Sequence, residues 1–180
     1  MKKNWVSASI TGLVVLALVL SGGAGGVANA FSESRVGFGF NATNISGFPT
    51  GEATLTGGGA YVPGSAFVHS AGHFRCTQSV LQGPLNGCLE GQGIRWDTAA
   101  LLASTTFKCT GAATETLKTA TTSDHIVVLV ADFYRQGDGN NESFTAKIIV
   151  SETDLALDVA GTQNVWIQGV GCGSAIVNFN

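Results

Sequence analysis

Charge, proline and catalytic signatures are all scarce in this chain. Charged residues make up 12% of its 180 positions, and the nine lysines and arginines form no run beyond Lys2-Lys3. Without a basic stripe it lacks the electrostatic footprint of a nucleic-acid binder or of a protein held on anionic lipid by a basic patch. No C-x-x-C pair is present, so the four cysteines do not read as a zinc cluster. The H-E-x-x-H and G-x-S-x-G patterns are also missing, which leaves no sequence motif for a metalloprotease or a nucleophile elbow. Helical periodicity is nearly absent, as are internal repeats and low-complexity tails.

What is present begins with a leader. Lys2 and Lys3 precede an apolar stretch from Ile10 to Leu20, and small residues follow, ending Ala28-Asn29-Ala30. This charged, apolar, small-residue order predicts a secretory signal over residues 1–30, with cleavage after Ala30. A membrane anchor is the alternative, but the apolar stretch is short for a bilayer span. No other stretch of the chain approaches a span. Removing Lys2 and Lys3 from nine basic residues leaves seven against twelve acidic ones, a net charge of −5 for residues 31–180. That length suits one domain with a substantial core.

The strongest structural signal is His125 to Ser151. Val127, Leu129, Ala131 and Phe133 share one face of an extended run, and Ile126, Val128, Val130, Asp132 and Tyr134 share the other. With both faces mostly apolar, it reads as a central strand rather than an edge. Gln136 to Glu142 then supplies Gly, Asp and Asn, which favour tight reversal. Phe144, Ala146, Ile148 and Val150 alternate with Thr145, Lys147, Ile149 and Ser151. The reading is an antiparallel hairpin.

Other extended runs lie over Val36–Ala42, Glu52–Thr56, Ala60–Val62, Ser65–Ser70, Gly72–Cys76, Ile94–Trp96, Thr105–Thr110, Glu115–Ala120, Leu155–Val159, Asn164–Val170 and Ser174–Phe179. Thr43–Thr50 reads as a loop, Gly57-Gly58-Gly59 as a strand end or bend, and Gly171-Cys172-Gly173 as a bend or bulge. Asp97 is placed to cap a short helical turn through Ala99 to Leu102. About nine or ten short strands with turn signals between them predict an all-β, antiparallel β-sandwich or β-barrel.

Cys76, Cys88, Cys109 and Cys172 are an even set in an exported chain, which predicts disulfides. Three pairings are open. Cys76–Cys88 with Cys109–Cys172 is favoured, stapling the irregular stretch from Cys76 to Gly93 and tying the C-terminus to the middle.

The segment VGFGFNATNISGFPTGEATL, Val36 to Leu55, resembles the opening of the post-COAP type domain of secreted bacterial proteins. So does the later succession of an apolar strand, Asp132, a Gly/Asp/Asn loop and Ser143-Phe144-Thr145. The cysteine-bearing middle, Arg75 to Cys109, departs from that pattern. The resemblance implies an exported β-rich accessory domain of bacterial origin without catalysis, and it transfers no functional residues.

Few residues are candidates for chemistry. Asp132 and Tyr134 share a face, and a covered Asp132 calls for a partner such as Arg75, Arg95 or Arg135; an internal salt link is the plainer role, a catalytic carboxylate the sharper one. Trp96 and Trp166, with Tyr61 and Tyr134, would form a sugar-stacking platform if exposed, and core packing otherwise. Asp138, Asn140 and Glu142 are oxygen donors of a type calcium accepts, but a hairpin turn is the plainer reading and a calcium site only the second. His69, His73 and His125 read as ordinary pocket or surface histidines before metal ligands. Asn41, Asn44 and Asn141 head glycosylation sequons that matter only in a host that uses them.

Three functions follow. The first is an exported, non-catalytic β-domain binding a surface polymer or protein, expected to show a filled core and an exposed Trp/Tyr patch. The second is a small barrel enclosing an apolar ligand, as in an isomerase or hydrolase, expected to show a cavity lined by Phe38, Phe40, Phe133 and Phe144 around Asp132 or a histidine. The third is a purely structural envelope protein, with neither feature.

Overall fold

The computed structural model describes residues 34–180; the predicted signal segment lies outside the described residues. Ten strands form: β1 (Val36–Gly47), β2 (Glu52–Tyr61), β3 (Val68–Gln78), β4 (Arg95–Leu101), β5 (Ser104–Phe107), β6 (Lys118–Thr121), β7 (Ile126–Tyr134), β8 (Phe144–Ser151), β9 (Val165–Ile167) and β10 (Gly171–Phe179). Eight close into an antiparallel barrel in the order β1-β10-β9-β8-β7-β4-β3-β2, while β5 and β6 form a separate two-stranded hairpin. Of the two all-β architectures expected, the barrel is the one formed. Among the described residues no helix is long and apolar enough to cross a membrane.

An eight-stranded barrel has an interior just wide enough for its own side chains to fill. Alternation aims Phe38, Phe40 and Ala42 of β1 inward. A bulge between Ala42 and Asn44 then shifts the phase so that Ile45, also fully buried, still faces the core. The bulge explains why Thr43 onward looks like a loop in sequence, whereas β1 continues to Gly47. The predicted hairpin is β7–β8, in register from Ile126↔Ser151 to Phe133↔Phe144. Phe74 and Phe133 meet edge to face at 4.8 Å, and Tyr61 packs edge-on against Phe38 and Phe179. Tyr61 closes one end of the barrel, its hydroxyl donating to the Ser123 carbonyl at 2.5 Å. Burial, with help from Asp124, holds that phenol well above its ordinary pKa.

Gly57-Gly58-Gly59 neither ends nor breaks β2. In register, Phe40 sits opposite Gly57 and Phe38 opposite Gly59; a Cβ at Gly57 would lie 2.5 Å from the Trp96 ring, and one at Gly58 or Gly59 would meet the backbone of the neighbouring strand. Gly57 on β2 and Gly72 on β3 also admit Trp96, which is fully buried and donates from Nε1 to the Thr56 carbonyl at 3.0 Å. A Cβ at Gly72 would lie 1.9 Å from the Thr56 carbonyl oxygen and 2.7 Å from the Trp96 Nε1.

Three other expectations are corrected. Asp97 caps no helical turn; it lies in β4, where a bulge between Thr98 and Ala100 interrupts the alternation. Leu155–Val159 is not a strand but a loop organised by Asp154, whose Oδ1 accepts from the amides of Ala156 and Gln163. Gly171-Cys172-Gly173 is the start of β10, paired on both sides, rather than a break.

Both disulfides take the favoured pairing: Cys76–Cys88 spans 12 positions and Cys109–Cys172 spans 63. The first fastens the loop after β3 across the barrel mouth, where Val80 and Leu85 are fully buried. The second ties the segment after β5 to β10. A second apolar cluster lies outside the barrel wall, where Phe107 and Ala120 of the β5–β6 hairpin cover Val128, Ile149 and Trp166.

Candidate functional site

The clearest grouping of polar and aromatic side chains among the described residues is on the outer face of β4, β7 and β8. Register sets Arg95 opposite Tyr134, Asp97 opposite Asp132, and Asp132 opposite Thr145. The Arg95 guanidinium lies over the Tyr134 ring, 4.0 Å from its centroid, and donates to Asp97 Oδ2 at 3.1 Å. The Tyr134 hydroxyl donates to the other oxygen of Asp97 at 3.3 Å. These contacts fix the ring and its hydroxyl in place, half-exposed. On the next row the Thr145 hydroxyl donates to Asp132 Oδ1 at 3.1 Å and also lies against Glu142.

Asp132 meets none of the arginines the sequence offered it. Arg95 turns to Asp97 and Arg135 to Asp138. Desolvation raises the Asp132 pKa above the ordinary aspartate value, and Glu142 and Asp97 add to the rise; the Thr145 bond opposes it. Two carboxylates directly across a ladder repel. The strip is therefore an acceptor-rich surface with one aromatic ring and one cation.

The remaining candidates are dispersed. Trp96 is fully buried inside the barrel and Trp166 is 3% exposed under the β5–β6 hairpin, so neither indole face is open for stacking. Their signal in sequence was composition alone, which does not say which side of a strand wall a tryptophan faces. The Asp138 carboxylate accepts from Ser143 at 2.6 Å and from Arg135 at 3.0 Å, which hold its pKa below the ordinary value. It thus closes the hairpin loop, while Glu142 faces Thr145 and Asn140 is exposed. His69 and His73 lie four residues apart on β3, about 13 Å along a strand, so one ion cannot bridge them. His125 pairs with Glu152 at 2.6 Å on the surface. Among the described residues no three His, Cys, Asp or Glu side chains converge as a metal cage.

Sequence reasoning missed a partly buried ionic cluster. Glu115, with a side chain 6% exposed, accepts from the amides of Cys109 at 2.6 Å, Thr110 at 2.7 Å and Gly111 at 3.2 Å, and from the Thr110 hydroxyl at 2.7 Å. Lys118 bridges it, at 3.0 Å, to Asp158 at 2.9 Å. Desolvation pushes the Glu115 carboxyl upward, but these hydrogen bonds outweigh it and bring the pKa down from 4.5 to about 2. A depressed carboxylate stabilises fully above the unfolded value and loses that contribution as pH falls through the folded one. Glu115→Gln is therefore expected to cost on the order of 2–3 kcal/mol at neutral pH. Paired urea titrations of both proteins should show the difference shrinking between pH 4.5 and about 2. A difference that stays constant across that window would refute the charge-based account.

Surface clefts among the described residues include four of about 300 to 420 Å³. None is lined by Phe38, Phe40, Phe133 or Phe144. Neither a family model, nor a curated protein, nor a solved structure matches the chain. The post-COAP resemblance therefore rests on its two sequence patches alone.

Proposed function

We propose that the chain is an exported, non-catalytic β-barrel domain that binds a polyhydroxylated surface polymer along the β4–β7–β8 strip. The observation that carries this reading is the contrast between inside and outside. The interior is occupied by Phe38, Phe40, Tyr61, Trp96 and Phe133, all at most 6% exposed. The grouped polar and aromatic side chains face outward. Polymer hydroxyls suit such a strip, with carboxylate acceptors at Asp97 and Asp132, a donor at Arg95 and an aromatic edge at Tyr134. A protein partner fits less well, since the strip carries a single aromatic ring among carboxylates, which interface cores are depleted in. Two disulfides favour an oxidising compartment, which agrees with export.

The test is co-sedimentation with insoluble cell-surface polysaccharides. The wild-type chain should pellet with at least one of them, and Tyr134→Ala and Asp132→Asn should each weaken binding about tenfold or more, roughly 1.4 kcal/mol. Both substitutions are on the surface and should leave the thermal midpoint nearly unchanged. Binding untouched by either would remove the strip from consideration.

A further inference from the structure

The β5–β6 hairpin covers an ordered apolar row on the barrel wall. Val128 of β7 is opposite Ile149 of β8, Ile149 opposite Trp166 of β9, and Trp166 opposite Cys172 of β10. All four belong to the cluster outside the barrel rather than the one inside it. The row ends at a cysteine bonded to Cys109 of the covering segment. The hairpin shares no sheet with the barrel. It is hinged where Leu102 donates to Val128 O, at 2.9 Å, and where the Thr122 hydroxyl donates to Leu102 O, at 2.6 Å. Its free end is held by the disulfide, by Trp166 Nε1 donating to Lys108 O at 2.8 Å, and by Glu115–Lys118–Asp158. Lys147 adds one side-chain bond to Thr105, at 3.2 Å.

We propose that β5–β6 is a redox-released strap: reduction of Cys109–Cys172 frees its distal end and bares the Val128–Ile149–Trp166 row while the barrel stays closed, with the Lys118–Asp158 ion pair, steadied by Glu115, as a second tie that limits how far it opens. The reductant is a dithiol. One of its thiolates attacks a protein sulfur and displaces the other as a thiolate. Its second thiol then resolves the mixed disulfide, leaving two protein thiols and an oxidised, cyclic reductant. Two electrons pass to the protein. Cys109 is 1% and Cys172 4% exposed, so attack requires the segment around Cys109 to lift. Within the strap the Glu115 carboxylate stiffens the turn at Cys109 through the Cys109, Thr110 and Gly111 amides, and it holds the Lys118 that reaches out to Asp158.

The experiment is amide hydrogen exchange on the full chain, oxidised and after dithiothreitol, for wild type and Glu115→Gln. Alkylation with mass spectrometry reports which disulfide has opened. On reduction of Cys109–Cys172, peptides covering 104–121 should exchange at least tenfold faster, while β1, β2 and β7 remain protected at the short labelling times that deprotect the strap. An apolar-surface dye should bind only the reduced form. In Glu115→Gln the reduction rate of Cys109–Cys172 should rise at least tenfold, with Cys76–Cys88 unchanged. If Glu115→Gln does not fold, Asp158→Asn, which loosens Lys118 from outside, should give a smaller rise of the same selectivity. Deprotection of the barrel strands together with the strap, or no change over 104–121, would overturn the proposal. Equal acceleration of both disulfides would do so too.

Discussion

Trp96→Ala is expected to lower stability by about 3–5 kcal/mol, the range for deleting a fully buried large aromatic. The indole fills the barrel centre between Gly57, Gly72 and Phe40, whose ring centroid is 6.1 Å away. Its removal also leaves the Thr56 carbonyl without the Nε1 donor. Gly72→Ala tests the same packing from the other side. A methyl there meets a backbone oxygen at 1.9 Å, which no side-chain rotation relieves. Overpacking of this kind usually costs about 1–3 kcal/mol, more when backbone must move. Urea denaturation of both variants should therefore show losses of several kcal/mol. A loss below about 1 kcal/mol for either would mean that Trp96 and its glycine slot do not organise the core.

Removing the long-range disulfide should come next in size. In the chain-entropy description, Cys109→Ala/Cys172→Ala, which opens a 63-position span, loses about 4 kcal/mol; Cys76→Ala/Cys88→Ala, spanning 12 positions, loses about 3. For a domain of this size each kcal/mol shifts the thermal midpoint by about 2–4 °C, so the first pair should melt about 8–16 °C lower and the second somewhat less. Scanning calorimetry separates them. Equal midpoints for the first pair and wild type would show that the tie between β10 and the strap contributes nothing to folding.

Local chemistry made some of this legible in sequence. The β7–β8 hairpin was readable because alternation and its Gly/Asp/Asn loop are both short-range signals. The cysteine pairing was readable because one pair closes an irregular stretch and the other ties a terminus. Strand ends were less so. Thr43, Gly57 and Gly171 all looked like breaks because a bulge or a glycine interrupts a pattern that partners across the ladder restore. Asp97 shows the same limit: alone it resembles a helix cap, and only pairing with β7 makes it a strand residue facing Asp132. The outward strip depends on that non-local β4–β7 register. Arg95 and Asp97, like Asp132 and Tyr134, are two apart and so share a face, a signal visible in the chain once the strands are granted. Glu115 was invisible because its partners are mostly backbone amides.

Side chains fill the barrel interior, and the proposed recognition strip lies on its outer wall. Titrating purified Trp166→Phe protein, which within residues 31–180 keeps Trp96 alone as emitter, with a fluorescent fatty acid tests this, read by ligand emission and by quenching of Trp96. With an interior already occupied by Phe38, Phe40, Tyr61, Trp96 and Phe133, no saturable binding and no quenching are expected. One-to-one, saturable binding that quenches Trp96 would contradict the account and restore the reading of a barrel that encloses an apolar ligand.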